Sequence, residues 1–433
     1  MTDTSKAVHS NNFLERLVRV DQGEWPRLVI AFCYFFFLLG GYFMLRPIRG
    51  TVAANNSEIL HWLYTGTFLT MLAIVPVYGF LVSRFRRGQF IPAIYLFFLF
   101  NLVLFIIGFR DDDTPLWMQR TFYIWLSVFN LFVVSIFWSF MADIFRPGQA
   151  QRLFGFIMAG GSLGAMAGSW ITTVLVLTLG SRNMMMAAAA CLLVATVLAV
   201  ILGRYTKRQH HDRPTEVIGG SIWEGAVHVF RSEYLLYACL LMLLHNLTST
   251  FLYNGLAVLV NEQIAGFDER THFFGIIDLV VQGIAFVFQF LVTSRLVTSL
   301  GMPRTLVMIP MMLAGGFIIL GSAMGLVLFA AMQVAQRSMN YGVLGPTKEM
   351  LFTVVDRETK YKSKNFIDTV VYRGSDVTAS WIFKGLTSAG LSLSQISWFY
   401  LPVMGLWGLG AWRLGKLYTG LRQQAKNNMK RTL

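Results

Sequence analysis

From Leu28 to Leu45 the chain carries no charged side chain. Blocks of this kind recur at about 27–48, 59–83, 90–109, 119–143, 153–179 and 183–203, then at 234–260, 271–294, 304–325, 326–352, 364–390 and 394–415. Each is close to the roughly 20 residues of helix that cross a bilayer core of about 30 Å. In hydrocarbon a spanning segment must satisfy its own backbone hydrogen bonds, so blocks of this length read as helices. With 55% hydrophobic and 13% charged residues, the chain could not cover a soluble surface of this size. The expectation is an all-α membrane protein with twelve transmembrane helices in two six-helix halves. It divides into an N-terminal segment (1–26), a first half (27–203), a polar central loop (204–233), a second half (234–415) and a basic tail (416–433). The first block is longer than a signal-peptide core. Cys33, Cys191 and Cys239 fall inside apolar blocks and read as small buried hydrophobes.

A formal charge of +14 could suggest nucleic acid, so its placement matters. If the N-terminus is cytoplasmic and the loops alternate, the outer segments hold Arg110, Arg120, Arg182 and Arg270. Of the 36 Lys and Arg, 26 fall in inner segments, which is the positive-inside bias. The excess charge then reports topology, with both termini cytoplasmic, and no nucleic-acid partner is expected.

Six cations escape that pattern: Arg46, Arg49, Arg337, Lys348, Arg373 and Lys384 lie within or at the ends of expected spans. An unpaired charge at mid-bilayer costs at least ~2.5–3.5 kcal/mol. These residues therefore line a water-filled path, form structural ion pairs or snorkel to an interface, with Lys348 and Arg49 the best candidates for simple flanks. Two six-helix halves about a basic loop suggest a duplicated transporter. GGSLGAMAGSWI (Gly160 to Ile171) and RGSDVTASWI (Arg373 to Ile382) form a faint internal echo aligned on Ser169 and Ser380. The small residues of the first copy would let helices approach closely.

GFLVSRFRRGQF, Gly79 to Phe90, resembles the basic loop between helices two and three of the major facilitator superfamily, with Ser83 where that motif usually has aspartate. A denser likeness covers GPTKEMLFTVVDRETKYKSKNFIDTVVYRGSDVTASWIFK, Gly345 to Lys384. It resembles the nucleotide transporter family, the ATP/ADP translocases of plastids and obligate intracellular bacteria. That region reads approximately DPTKEM, a basic turn, then KGKAAIDVVGARLGKSGG. Pro346, Thr347, Lys348, Glu349, Met350, Lys362, Lys364, Ile367, Asp368, Val370 and Arg373 coincide. LRPIRG, Leu45 to Gly50, is similar to the family's LRNTKD, and QAQRLFG, Gln149 to Gly155, to its EAKRF segment. The chain departs from the family at Gly50 and Gly345, which replace aspartates, and at Asp376 and Val377, which replace a lysine and a serine. The resemblance implies a bacterial cytoplasmic membrane protein that exchanges nucleotides, and the departures bear on the cargo.

Arginine meets phosphate oxygens through a planar fork of donors, while lysine offers a mobile point charge. Arg46 and Arg49 from one half, with Arg337, Arg373 and Lys384 from the other, could meet across a central cavity as an anion site. Asp376 shares a helix face with Arg373 and could pair with it until an anion displaces it. Pro47 would kink or end its helix. Lys348, Glu349, Asp368, Asp143 and Arg146 read as gating or coupling residues, and Asp143, Asp278, Glu349, Asp368 or Asp376 could carry a proton if buried. Tyr253, Asn254, His245 and Gln282 could touch a base or sugar, or simply bridge helices. No phosphate-cradling loop or nucleophile–base constellation is present, so neither an enzyme nor a cofactor is expected, and no metal site. The readings left open are a transporter of a nucleotide or similar organic anion, a proton-coupled transporter of another small metabolite or drug, and a non-transporting scaffold or lipid-handling protein. A monomer suffices for each.

Overall fold

A computed structural model describes residues 24–84, 87–145, 147–207, 222–356, 359, 363–364 and 366–432. Among these residues the regular structure is helical. The first half contains α1 (Trp25–Asn55), α2 (Leu60–Arg84), α3 (Arg87–Gly108), α4 (Leu116–Ile144), α5 (Pro147–Leu179) and α6 (Ser181–Lys207). A short helix in the central loop, α7 (Ile222–Arg231), leads to α8 (Glu233–Gln263), α9 (Phe267–Val287) and α10 (Thr293–Ser322). Then come α11 (Leu326–Met339), α12 (Gly345–Leu351), α13 (Tyr372–Ser388) and α14 (Leu393–Thr432). Among the described residues, eight helices are long and apolar enough to cross a membrane: α1, α3 to α6 and α8 to α10, or most of each. The tail from residue 416 continues α14 as helix to Thr432. Large apolar side chains such as Phe97, Ile107, Val327 and Leu409 are exposed on the flanks, a surface that suits lipid and not water.

In the first half α1 is the axle and packs along α5 and α6. Glycines on α5 set the closeness of that contact. A Cβ at Gly164 would lie 2.1 Å from the Phe36 carbonyl oxygen, and one at Gly168 would lie 2.2 Å from that of Gly40. This is the small-residue stripe of GGSLGAMAG, with backbone against backbone. The echo segment on α13 packs against α8, where the Asn254 amide donates to Ser380 Oγ at 3.0 Å. The two copies thus occupy corresponding places in the two halves. α10 lies along α14, and the halves meet where α9 contacts α5 and α1, α8 contacts α1, and α13 contacts α2.

At the end of the bundle where α1 stops and α9 starts, here the distal end, the halves are stitched together by reciprocal caps. Asp112, in the loop after α3, accepts from the Phe267 amide at 2.9 Å and so caps α9. Asp268 of α9 accepts from the Ser181 amide at 2.9 Å and from its hydroxyl at 2.5 Å, capping α6 in return. Each acid satisfies an N–H that the first helical turn leaves free. The hydroxyls of Thr51 and Thr271 meet at 2.8 Å, His272 Nδ1 lies 2.8 Å from the Thr173 carbonyl oxygen, and Arg270 donates to Asn55. At the opposite end, the pairs Arg152–Glu24, Lys364–Glu349 and Arg413–Glu233 each stay inside one half.

Candidate functional site

α1 does not end at Pro47, one of the two outcomes the sequence allows, but runs through it to Asn55. Proline removes one backbone donor, and the Thr51 hydroxyl turns back to the Pro47 carbonyl at 3.4 Å. Gly50 keeps α1 tight against α9, since a Cβ there would sit 2.7 Å from the Phe274 ring. Arg46 and Arg49, three residues apart, consequently project from neighbouring positions into the interface between halves.

Asp278 on α9 is the hub of the site. Its side chain is only 4% exposed and accepts from Arg337 Nη2 of α11 at 2.5 Å, while Arg46 Nε of α1 lies 3.8 Å away. One carboxylate thus joins arginines from both halves. Arg46 also donates to the Tyr341 hydroxyl at 3.0 Å. Tyr341 stands on a π-turn, Asn340–Leu344, that interrupts the helix after α11. Such a turn strands backbone carbonyls, and here Gln289 donates to that of Tyr341 at 3.0 Å and Thr293 to that of Gly342 at 2.5 Å. Further π-turns at Phe288–Val292 and Ile367–Val371 lie beside the same region.

A second compartment adjoins the hub. The Arg49 guanidinium lies 3.9 Å from the centroid of the Tyr123 ring and 5.9 Å from that of Tyr253, a cation–π setting. Tyr64 stands edge-on to both tyrosines. Arg373 of α13 reaches Asp376 at 3.7 Å, and Asp376 also accepts from the Thr250 hydroxyl at 3.1 Å. Asp376 is within electrostatic range of Arg49, and Tyr372 within that of both Arg373 and Arg46.

The structure therefore brings together Arg46, Arg49, Arg337, Arg373 and Asp376. Lys384 stands apart, in a distal cavity of about 390 Å³ with His61, Asn254, Ser380, Glu58 and Glu262. Lys348 pairs with Asp368, and Glu349 pairs with Lys364 at 2.7 Å, both away from the arginine cluster. Asp143 is exposed on the last turn of α4, and Arg146 lies outside the described residues. His245 is buried against Trp407. Asp278 entered the sequence reading only as one of five possible proton carriers. Its role as partner to two arginines has no local signal, nor does the convergence of Tyr64, Tyr123, Tyr341 and Tyr372. Among the described residues no cluster of three or more His, Cys, Asp or Glu could hold a metal.

The helical bundle buries charges at its centre, and eight of its described helices are long and apolar enough to cross a membrane. The model of the Major Facilitator Superfamily matches residues 28–347, and the chain belongs to that superfamily as a secondary transporter of its type. Solved structures with this fold include a D-xylose–proton symporter, with a TM-score of 0.62 at 13% identity over 89% of this chain and 97% of that one. The peptide transporter PepTSo of the POT family gives 0.61 at 13% identity over 93% and 98%. The nucleoside transporter NupG gives 0.59 at 10% identity over 91% and 99%. No curated relative matches the sequence.

Proposed function

We propose that this chain moves a small organic anion, nucleotide-like or otherwise phosphorylated or carboxylated, across a bacterial cytoplasmic membrane by alternating access. In this reading twelve spans cross the bilayer, both termini are cytoplasmic, and the distal end faces outward, as the distribution of Lys and Arg suggests. The chain then works without bond chemistry, and no cofactor is required. The observation that carries the proposal is the sharing of Asp278 by Arg46 and Arg337, one from each half. Buried arginines held by a removable carboxylate can exchange it for a substrate anion, so occupancy would bear on how the halves sit together. The reciprocal caps at the distal end fit a molecule closed to the outside. Transport of ATP or ADP is the finer version suggested by the GPTKEM resemblance.

The second reading, a proton-coupled transporter of another metabolite, draws on Asp278 and Asp376, carboxylates at the same seam. Uptake of radiolabelled ATP, AMP, succinate and phenyl phosphate into proteoliposomes, with and without an imposed pH gradient, separates the two. Uptake of at least one anion is expected, abolished by Arg46→Gln and by Arg373→Gln. Uptake that none of these anions supports removes the organic-anion reading, and full activity in either variant removes that arginine from the site.

A further inference from the structure

The site's charge balance and its tyrosines narrow the cargo class, an inference that rests on the organic-anion reading above. Among the described residues, four arginines face two aspartates, which leaves two positive charges. Their placement is uneven. Arg46 and Arg337 share Asp278, leaving one charge at the hub, and Arg373 is matched by Asp376. Arg49 meets the ring and the carbonyl of Tyr123, so the second excess charge resides there. Two donors beside these centres, Arg337 Nε and the Tyr253 hydroxyl, are buried with no hydrogen-bond partner among the described protein atoms. Buried donors left open in a site are the groups expected to meet a ligand. Aromatic rings gather around Arg49: Tyr64 stands edge-on to Tyr123 at 6.2 Å and to Tyr253 at 6.4 Å between centroids. A further planar group can join such a cluster by edge-on or offset contact with its rings, at about 4.5–7 Å between centroids.

We infer that the hub and the Arg49 compartment together select a dianion carried on a planar body, such as an aryl phosphate or a nucleoside monophosphate, over a polyphosphate. A dianion cancels the two excess charges. A triphosphate would overshoot them in a site partly withdrawn from water, where uncompensated charge is most costly. An aliphatic dicarboxylate matches the charge but leaves the tyrosine faces unused.

Isothermal titration of the purified full-length protein with phenyl phosphate, AMP, ATP, succinate and benzoate tests this. AMP and phenyl phosphate carry a charge of about −2 at neutral pH. Both should bind at least roughly tenfold more tightly than ATP, succinate or benzoate, a gap of about 1.4 kcal/mol or more. Arg49→Gln should weaken phenyl phosphate by roughly tenfold or more. Tyr253→Phe removes only the hydroxyl and should weaken it by a few-fold with the melting temperature unchanged, which keeps the proposal falsifiable if the Arg49 variant fails to fold. ATP binding as tightly as AMP, succinate matching phenyl phosphate, or unchanged affinity in both variants overturns the inference and leaves the organic-anion reading standing. If none of the five binds, both fall.

Discussion

Asp278 is held between Arg46 of one half and Arg337 of the other, with its side chain almost fully withdrawn from solvent. Removing one partner of a buried ionic cluster leaves the others uncompensated, and such changes cost about 3 kcal/mol or more. Asp278→Asn keeps the shape and removes the charge. It should lower the melting temperature of the purified protein by several degrees, and added phenyl phosphate should restore part of the loss, because an anion can replace the missing carboxylate. An unchanged melting temperature would mean that the two arginines are balanced by something else. At this scale the sequence disclosed the cations and not their setting. Arg46 and Arg49 stand out because they follow an uncharged run. Asp278 and the tyrosines are ordinary residues in their own helices, and only the folded halves bring them to the arginines.

The helix contacts make two sharper predictions. Gly168 packs its Cα against the Gly40 backbone, so Gly168→Val forces α5 away from α1 and should destabilise the protein by about 1–3 kcal/mol. Gly155, on the same helix, has open space where a Cβ would go. Gly155→Ala should therefore be neutral or stabilising, by up to about 1 kcal/mol. Thermal melts of the two variants side by side check both signs. The stripe was readable in GGSLGAMAG because small residues at helical spacing mean close approach. The π-turns at Asn340–Leu344 and Ile367–Val371 were not, since nothing in residue type separates a π-turn from ordinary helix. At Pro47 the sequence left a kink or an end open, and α1 runs on, packed against α5, α6 and α9.

The distal seal belongs to the same scale and carries a pH dependence. Asp111, in the loop after α3, has its carboxyl raised above the usual carboxylate range, first by burial and then by the neighbouring carboxylate of Asp268. A carboxyl whose pKa is raised in the closed form favours that form when protonated. That stability is complete below the ordinary value of about 3.9 and is lost as pH rises through the raised one. Between those two values, acid on the distal side should therefore favour the closed seal, and Asp111→Asn should flatten the dependence. Spin labels at the exposed positions Asp113 and Glu269 would report it as a distance that lengthens with rising pH in the parent protein alone.

For the molecule as a whole, the recurrence of apolar blocks announced a helical membrane design, because the bilayer sets the length of a spanning helix and little else can explain the pattern. The superfamily match agrees with that design. The cargo was far less legible. GPTKEM and LRPIRG suggested nucleotides, yet the two charged residues of GPTKEM, Lys348 and Glu349, are held by Asp368 and Lys364, and Lys384 lies in a different cavity. The central claim is that arginines of both halves hold one anion at the seam. A cryo-electron microscopy map with saturating phenyl phosphate tests it most directly. The account predicts ligand density in contact with Arg46 or Arg49 on one side and Arg337 or Arg373 on the other, with the hold on Asp278 loosened. Density confined to the distal cavity around Lys384, with Arg46, Asp278 and Arg337 unmoved, would contradict it.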